Sequence, residues 1–185
     1  MLDNSVAGGI AGGMTAFDTL VKEAAEEASL DPQLVREKAR SVGAVSYYRQ
    51  TDAEWLQPEV QFVYDMRIEP GEARLAPMDG EVEFFKVCRY FFVFKFLFWF
   101  VSWTMYDGAD SLCRSMRLCL VCTRGNSSQI ARSVRPKFSS RHRAYKMLQV
   151  IIDFLVRHGY LTPENEPRYL EINQRLHGNF EIDRW

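Results

Sequence analysis

Acidic residues are absent from residues 111–152, a stretch that carries nine basic ones between Arg114 and Lys146. The net charge of −1 therefore hides an acidic N-terminal half and a basic middle. The basic block contains no recognisable nucleic-acid-binding module, so no nucleic-acid partner is expected. Cysteine is scarce, with four residues all between Cys88 and Cys122. That excludes a scaffold held together by disulfides. Cys119-x-x-Cys122 has no second pair, and His142, His158 and His177 are scattered. Free thiols in a reducing compartment are expected in place of zinc ligation. The first residues carry neither the basic start nor the apolar run of a secretory signal, and a cytoplasmic location is expected. Long apolar runs are missing apart from residues 90–106, YFFVFKFLFWFVSWTMY, and that one contains Lys95. It falls short of the roughly 20 residues that a spanning helix needs, so no membrane partner is expected. No internal repeat is present, and the oligomeric state leaves no mark. With 185 residues and 47% apolar content, a single domain with its own core is expected.

What the chain does have is concentrated in residues 8–30, GGIAGGMTAFDTLVKEAAEEASL. Glycines lead into a helix whose Glu23, Glu26 and Glu27 fall at spacings of three and four residues, which stacks them on one face. Three like charges so close repel, and packing alone does not call for them. A hard divalent cation does, because Mg²⁺ takes oxygen ligands and shares them with substrate phosphates. Glycines before a helix also let backbone approach an anion. Thr15 and Asp18 make a capping start, so the helix is expected from about Ala16. Phe17, Leu20, Val21, Ala24 and Ala28 form its buried stripe, leaving the carboxylates off it. Asp31-Pro32 starts a second helix running to about Arg40. Residues 43–49, 60–68 and 81–87 read as strands, with turns at Pro70-Gly71 and at residues 77–80. Toward the end, residues 146–158 read as a helix with Val150, Ile151, Phe154 and Leu155 inward and Gly159 as its stop. Thr162-Pro163 is expected to start a last helix running to about His177. Loop, helices and strands together indicate an α/β (α+β) domain.

The first of these segments resembles the signature of the Nudix hydrolases: Gly, five residues, Glu, seven residues, then Arg-Glu-apolar-any-Glu-Glu-any-Gly-apolar. Gly8 takes the first place, and residues 22–30 take the second half in register. Met14, Lys22 and Ser29 depart from it, standing where the signature has Glu, Arg and Gly. The resemblance implies a mixed sheet with a catalytic helix, and Glu23, Glu26 and Glu27 as ligands of Mg²⁺ or Mn²⁺. It further implies that Lys22 orients a neighbouring carboxylate, and that Gly8, Gly9, Gly12 and Gly13 shape the loop around the phosphates of a small-molecule diphosphate. Glu81 or Glu83 would be the candidate base on a later loop.

A narrower likeness covers roughly residues 1–87 and 147–178. LDNSVAGGI, GAVSYY, QFVYDMRI, DGEVEFF and IIDFLVRHGYLTPENEPRYLEI are similar to a subfamily related to the Nudix domain of fungal thiamin pyrophosphokinases. It implies hydrolysis of thiamin diphosphate, or of its oxidised or damaged analogues, to the monophosphate. The alternatives are an 8-oxo-dGDP diphosphatase and an inactive fragment of such an enzyme. Members of that subfamily carry sequence before LDN, so the sheet is expected to be incomplete on its N-terminal side and the chain to turn over poorly. Three parts are thus expected: residues 1–87 and 147–185 of the Nudix domain, flanking an atypical segment, 88–146. Translated non-coding sequence accounts best for that segment, ahead of a membrane insertion or a buried pair of elements.

Overall fold

The computed structural model describes residues 2–50, 56–78, 80–89, 115–124, 128–134 and 140–177. Its strands are β1 (Leu2–Asp3), β2 (Val6–Gly9), β3 (Arg40–Gln50), β4 (Leu56–Ile68), β5 (Val82–Arg89), β6 (Ser115–Arg124) and β7 (Ser128–Val134). Helices α1 (Ala16–Ala28) and α2 (Pro32–Lys38) precede β3, while α3 (Ser140–Arg157) and α4 (Tyr169–Leu176) follow β7. This is the expected mixed α+β architecture.

The seven strands among the described residues join one mixed sheet along the path β1-β7-β6-β4-β3, with β2 added to β6 and β5 to β7. β3 and β4 form a long antiparallel pair whose register shifts between Ser41 and Gly43. Gly43 has φ +137 there, a conformation that costs glycine little and other residues much. β4 and β6 run parallel from Glu59 beside Ser115 to Ile68 beside Arg124. Part of the atypical segment, residues 115–124 and 128–134, thus stands as strands within the sheet. The aromatic run 90–106 lies outside the described residues.

Side chains alternate across a strand, and β4 uses this to serve two cores. Tyr64, Met66 and Ile68 meet Val6, Leu20, Val21, Ala24, Ala28 and Val35 on the face covered by α1 and α2. Val63 and the neighbouring Val45 meet Leu148, Val150, Ile151, Phe154 and Leu155 of α3, with Leu161 and Leu176, on the other. A sheet with helices on both faces follows from that alternation.

Two expectations need correction. Gly8 and Gly9 belong to strand β2, opposite Leu118 and Arg117 of β6, and the turn begins only after them. The last helix starts at Tyr169, well after Thr162-Pro163. Pro167 explains the delay, because inside a helix it would lack an N–H and clash with the preceding turn. Residues 162–166 instead form turns, with the Thr162 N–H donating to Asn165 Oδ1 at 2.9 Å and Asn165 Nδ2 donating to the Tyr160 carbonyl at 3.0 Å.

Candidate functional site

Helix α1 is fixed at both ends and along one side. At its start the Asp18 N–H donates to Thr15 Oγ1 at 3.0 Å, and the Thr15 hydroxyl donates to Asp18 Oδ2 at 2.7 Å. Arg36 of α2 adds a bond to Asp18 at 3.1 Å and lies 6.0 Å over the Phe17 ring. These bonds hold the Asp18 carboxyl below its ordinary range, Thr15 contributing most. At its end Ser29 adopts the left-handed conformation, φ 55 and ψ 30. The N–H groups of Ser29 and Leu30 return to the carbonyls of Ala25 and Ala24.

Held in this way, α1 lays Glu23 and Glu27 against strand β2. Glu27 is buried, 5% exposed, and its Oε2 accepts the Ala7 N–H at 3.0 Å. The expectation that all three carboxylates lie off the buried stripe is therefore corrected for this one. Glu23, one turn earlier, lies over Gly8. A methyl group at Gly8 would fall 2.6 Å from Glu23 Cγ and 2.8 Å from Oε1, so only glycine leaves the carboxylate its place. Glu26 is on the exposed side of the helix. Lys22 Nζ stands 2.9 Å from Glu26 Oε2 and 3.7 Å from Glu23 Oε1, joining the two. The Lys22 ammonium is held above its ordinary range, first by the bond to Glu26 and then by the charge of Glu23. Gly12 and Gly13 lie in an exposed turn where the Met14 N–H donates to the Ala11 carbonyl at 3.1 Å, with Gly13 at φ +82.

Gly8, Lys22, Glu23, Glu26 and Glu27 are thus brought together, with Gly9, Gly12 and Gly13 leading away along the chain. Glu81 is exposed just before β5, and Glu83 lines a separate cleft beside residues 69–77. Among the described residues, no three His, Cys, Asp or Glu side chains converge as a metal site. The donor set nonetheless suits a hard cation: Glu23 and Glu26 already share one positive charge, the Lys22 ammonium.

Two polar clusters, the first half-buried and the second buried, carried no signal in local sequence patterns. Arg157 of α3 grips Asp65 of β4 through two bonds, 2.7 and 3.2 Å, and Asp153 at 2.7 Å. His158 Nε2 stands 3.0 Å from Asp65 and stacks on Phe154 at 4.0 Å. Further along β4, the Tyr47 hydroxyl donates to buried Glu59 at 2.5 Å and accepts Gln61 Nε2 at 2.9 Å. Both clusters join strand to strand or strand to helix across the sheet face that carries α3.

Over 95% of its length the chain is 32% identical to each of two Arabidopsis thaliana proteins, Nudix hydrolase 20, chloroplastic, and Nudix hydrolase 24, chloroplastic. This likeness supports the Nudix family. The chain is also 29% identical, over 96% of its length, to an uncharacterized protein of Saccharomyces cerevisiae. It spans 35%, 36% and 42% of the lengths of these three relatives. No family model matches it. Among the described residues no helix is long and apolar enough to cross a membrane.

Two departures from the Nudix signature now have a physical description. Ser29 occupies the signature's second glycine position and is the one non-glycine residue with positive φ among those described. Its hydroxyl donates to the Ala76 carbonyl at 2.9 Å, which offsets part of the strain. Lys22 replaces the signature's arginine and reaches two carboxylates as a point charge in place of a planar fork.

Proposed function

We propose that this chain carries the loop and helix of a Nudix-type hydrolase that cleaves a small-molecule diphosphate with Mg²⁺ or Mn²⁺. The observation that carries the reading is the seating of Glu23 over Gly8 and Glu27 on the Ala7 N–H, in the register of the signature. Glu23 and Glu26 would hold the cation, and Glu27 would fix the angle of α1 to β2 while completing the acidic face. When bound, the cation supplies neutralisation of charge that develops on phosphate oxygens. Lys22, shared by Glu26 and Glu23, orients the two carboxylates and damps their repulsion. The exposed turn at Gly12 and Gly13 leaves backbone open to an anion. Glu83, which lines the cleft by residues 69–77, is the candidate base for the attacking water, with Glu81 as the alternative.

A thiamin-type substrate is supported by the likeness of the LDNSVAGGI, QFVYDMRI and IIDFLVRHGYL segments to the thiamin-linked subfamily. The test is phosphate release from thiamin diphosphate by the unmodified chain and by Glu23→Gln with Glu26→Gln, with and without Mg²⁺. Metal-dependent release that falls at least about 10²-fold in the double variant supports the reading. Release that ignores both metal and substitution refutes it.

A further inference from the structure

A cleft of about 890 Å³ lies between residues 69–77 and the start of β5, with Arg74, Leu75, Glu83 and Phe84 among its lining. That volume is in the range of small-molecule sites, about 300–1,000 Å³. One wall is tied to the end of the glutamate helix: the Ala76 N–H donates to the Ala28 carbonyl at 3.1 Å, and Ser29 Oγ donates to the Ala76 carbonyl at 2.9 Å. Ser29 is only three residues, about 4.5 Å of helical rise, beyond Glu26. Ala73, Leu75 and Phe85 pack into the core beneath, so the floor is anchored.

The charges at this cleft are unequally satisfied. Glu69 pairs with Arg67 at 2.7 Å, and Glu72 pairs with Lys38 and accepts the Glu69 N–H at 2.9 Å. Arg74 has no carboxylate partner among the described residues. Phe84, also in the lining, is 49% exposed. A guanidinium and an exposed aromatic ring lining one cleft match a flat ring joined to phosphate: the ring stacks, and the guanidinium takes two oxygens of one anion.

We propose that this cleft is the subsite for the organic group of the diphosphate, with its ring stacked on Phe84 and the phosphate that is not attacked paired with Arg74. The assignment rests on the hydrolase reading above, and it places specificity in the β4–β5 connection, outside the signature. Calorimetric titration of the full chain in Mg²⁺ with two probes, thiamin diphosphate and inorganic diphosphate, tests it. Phe84→Ala should weaken thiamin diphosphate about tenfold and leave inorganic diphosphate unchanged, while Arg74→Gln should weaken both about tenfold. Phe84→Leu, which keeps the apolar volume and loses the flat face, should behave as Phe84→Ala does, and guards against a folding defect. Unchanged affinities, or an equal loss of both probes in the Phe84 variants, overturn the subsite while leaving the glutamate helix untouched. Failure of the unmodified chain to bind either probe overturns the subsite and the hydrolase reading together.

Discussion

Replacing Gly8 by alanine separates the requirements of the fold from those of the site. The added methyl group would stand 2.6 Å from Glu23 Cγ and 2.8 Å from Oε1. Carbon atoms settle about 3.5–4.0 Å apart, so the carboxylate must move by about 1 Å. The obstructing atoms belong to a flexible side chain and not to backbone. Swinging Glu23 to another rotamer costs about 1 kcal/mol, and alanine returns about 0.5–1 kcal/mol of strand entropy. Net stability is therefore expected to change by less than about 1 kcal/mol. Hydrolysis is far less tolerant, since a misplacement of about 1 Å in a positioning group can cost about 10²-fold. Thermal unfolding followed by circular dichroism, with Mg²⁺-dependent phosphate release measured in parallel, should show a fold kept and a site lost. Wild-type turnover in Gly8→Ala would refute the reasoning, and so would loss of the cooperative transition.

Other perturbations read different parts of the molecule. Ser29→Gly relieves about 1 kcal/mol of left-handed strain but gives up a hydrogen bond of similar worth, so it should be near neutral, whereas Ser29→Ala should destabilise by about 1 kcal/mol in urea titrations. Asp65→Asn weakens the clasp on a half-buried Arg157 and should cost about 2 kcal/mol by chemical denaturation, reduced from the fully buried case because both side chains retain some solvent contact. Asp18 and Glu72 have folded pKa values below their ordinary 3.8 and 4.5, Asp18 chiefly through Thr15 and Glu72 chiefly through Lys38. Their contribution is therefore present above those ordinary values and is lost as pH falls through the depressed ones. Melting temperatures between about pH 6 and about pH 3 should fall less steeply in Thr15→Ala than in the unmodified chain.

What was legible in the sequence was what local chemistry encodes. Thr15 and Asp18 mark the start of α1, the Leu20, Ala24 and Ala28 spacing marks its inner face, and Asp31-Pro32 starts α2 as expected. Gly159, at φ +72 just after α3, is likewise announced by residue type. Burial of Glu27 could not be read in this way, because its partner is a backbone N–H twenty residues earlier, on a strand whose position depends on the sheet. The grip of Arg157 on Asp65 spans 92 residues and leaves no periodic trace. The parallel register of β6 beside β4 is of the same kind, since parallel pairing needs a crossover that no short motif specifies. The late start of α4 is encoded locally after all: Thr162-Pro163 has the residue types of a helix start, but Pro167 five residues on keeps a helix from forming there.

The most direct test of the acidic face is a titration with Mn²⁺ followed by electron paramagnetic resonance. The unmodified chain should take up the ion, and Glu23→Gln with Glu26→Gln should abolish that uptake. Mg²⁺ should displace the Mn²⁺, and the ion-bound chain should melt at a higher temperature than the free one. Equal Mn²⁺ uptake by the unmodified chain and the double variant would contradict the account at its centre, because Glu23 and Glu26 would then not be the ligands on which it depends.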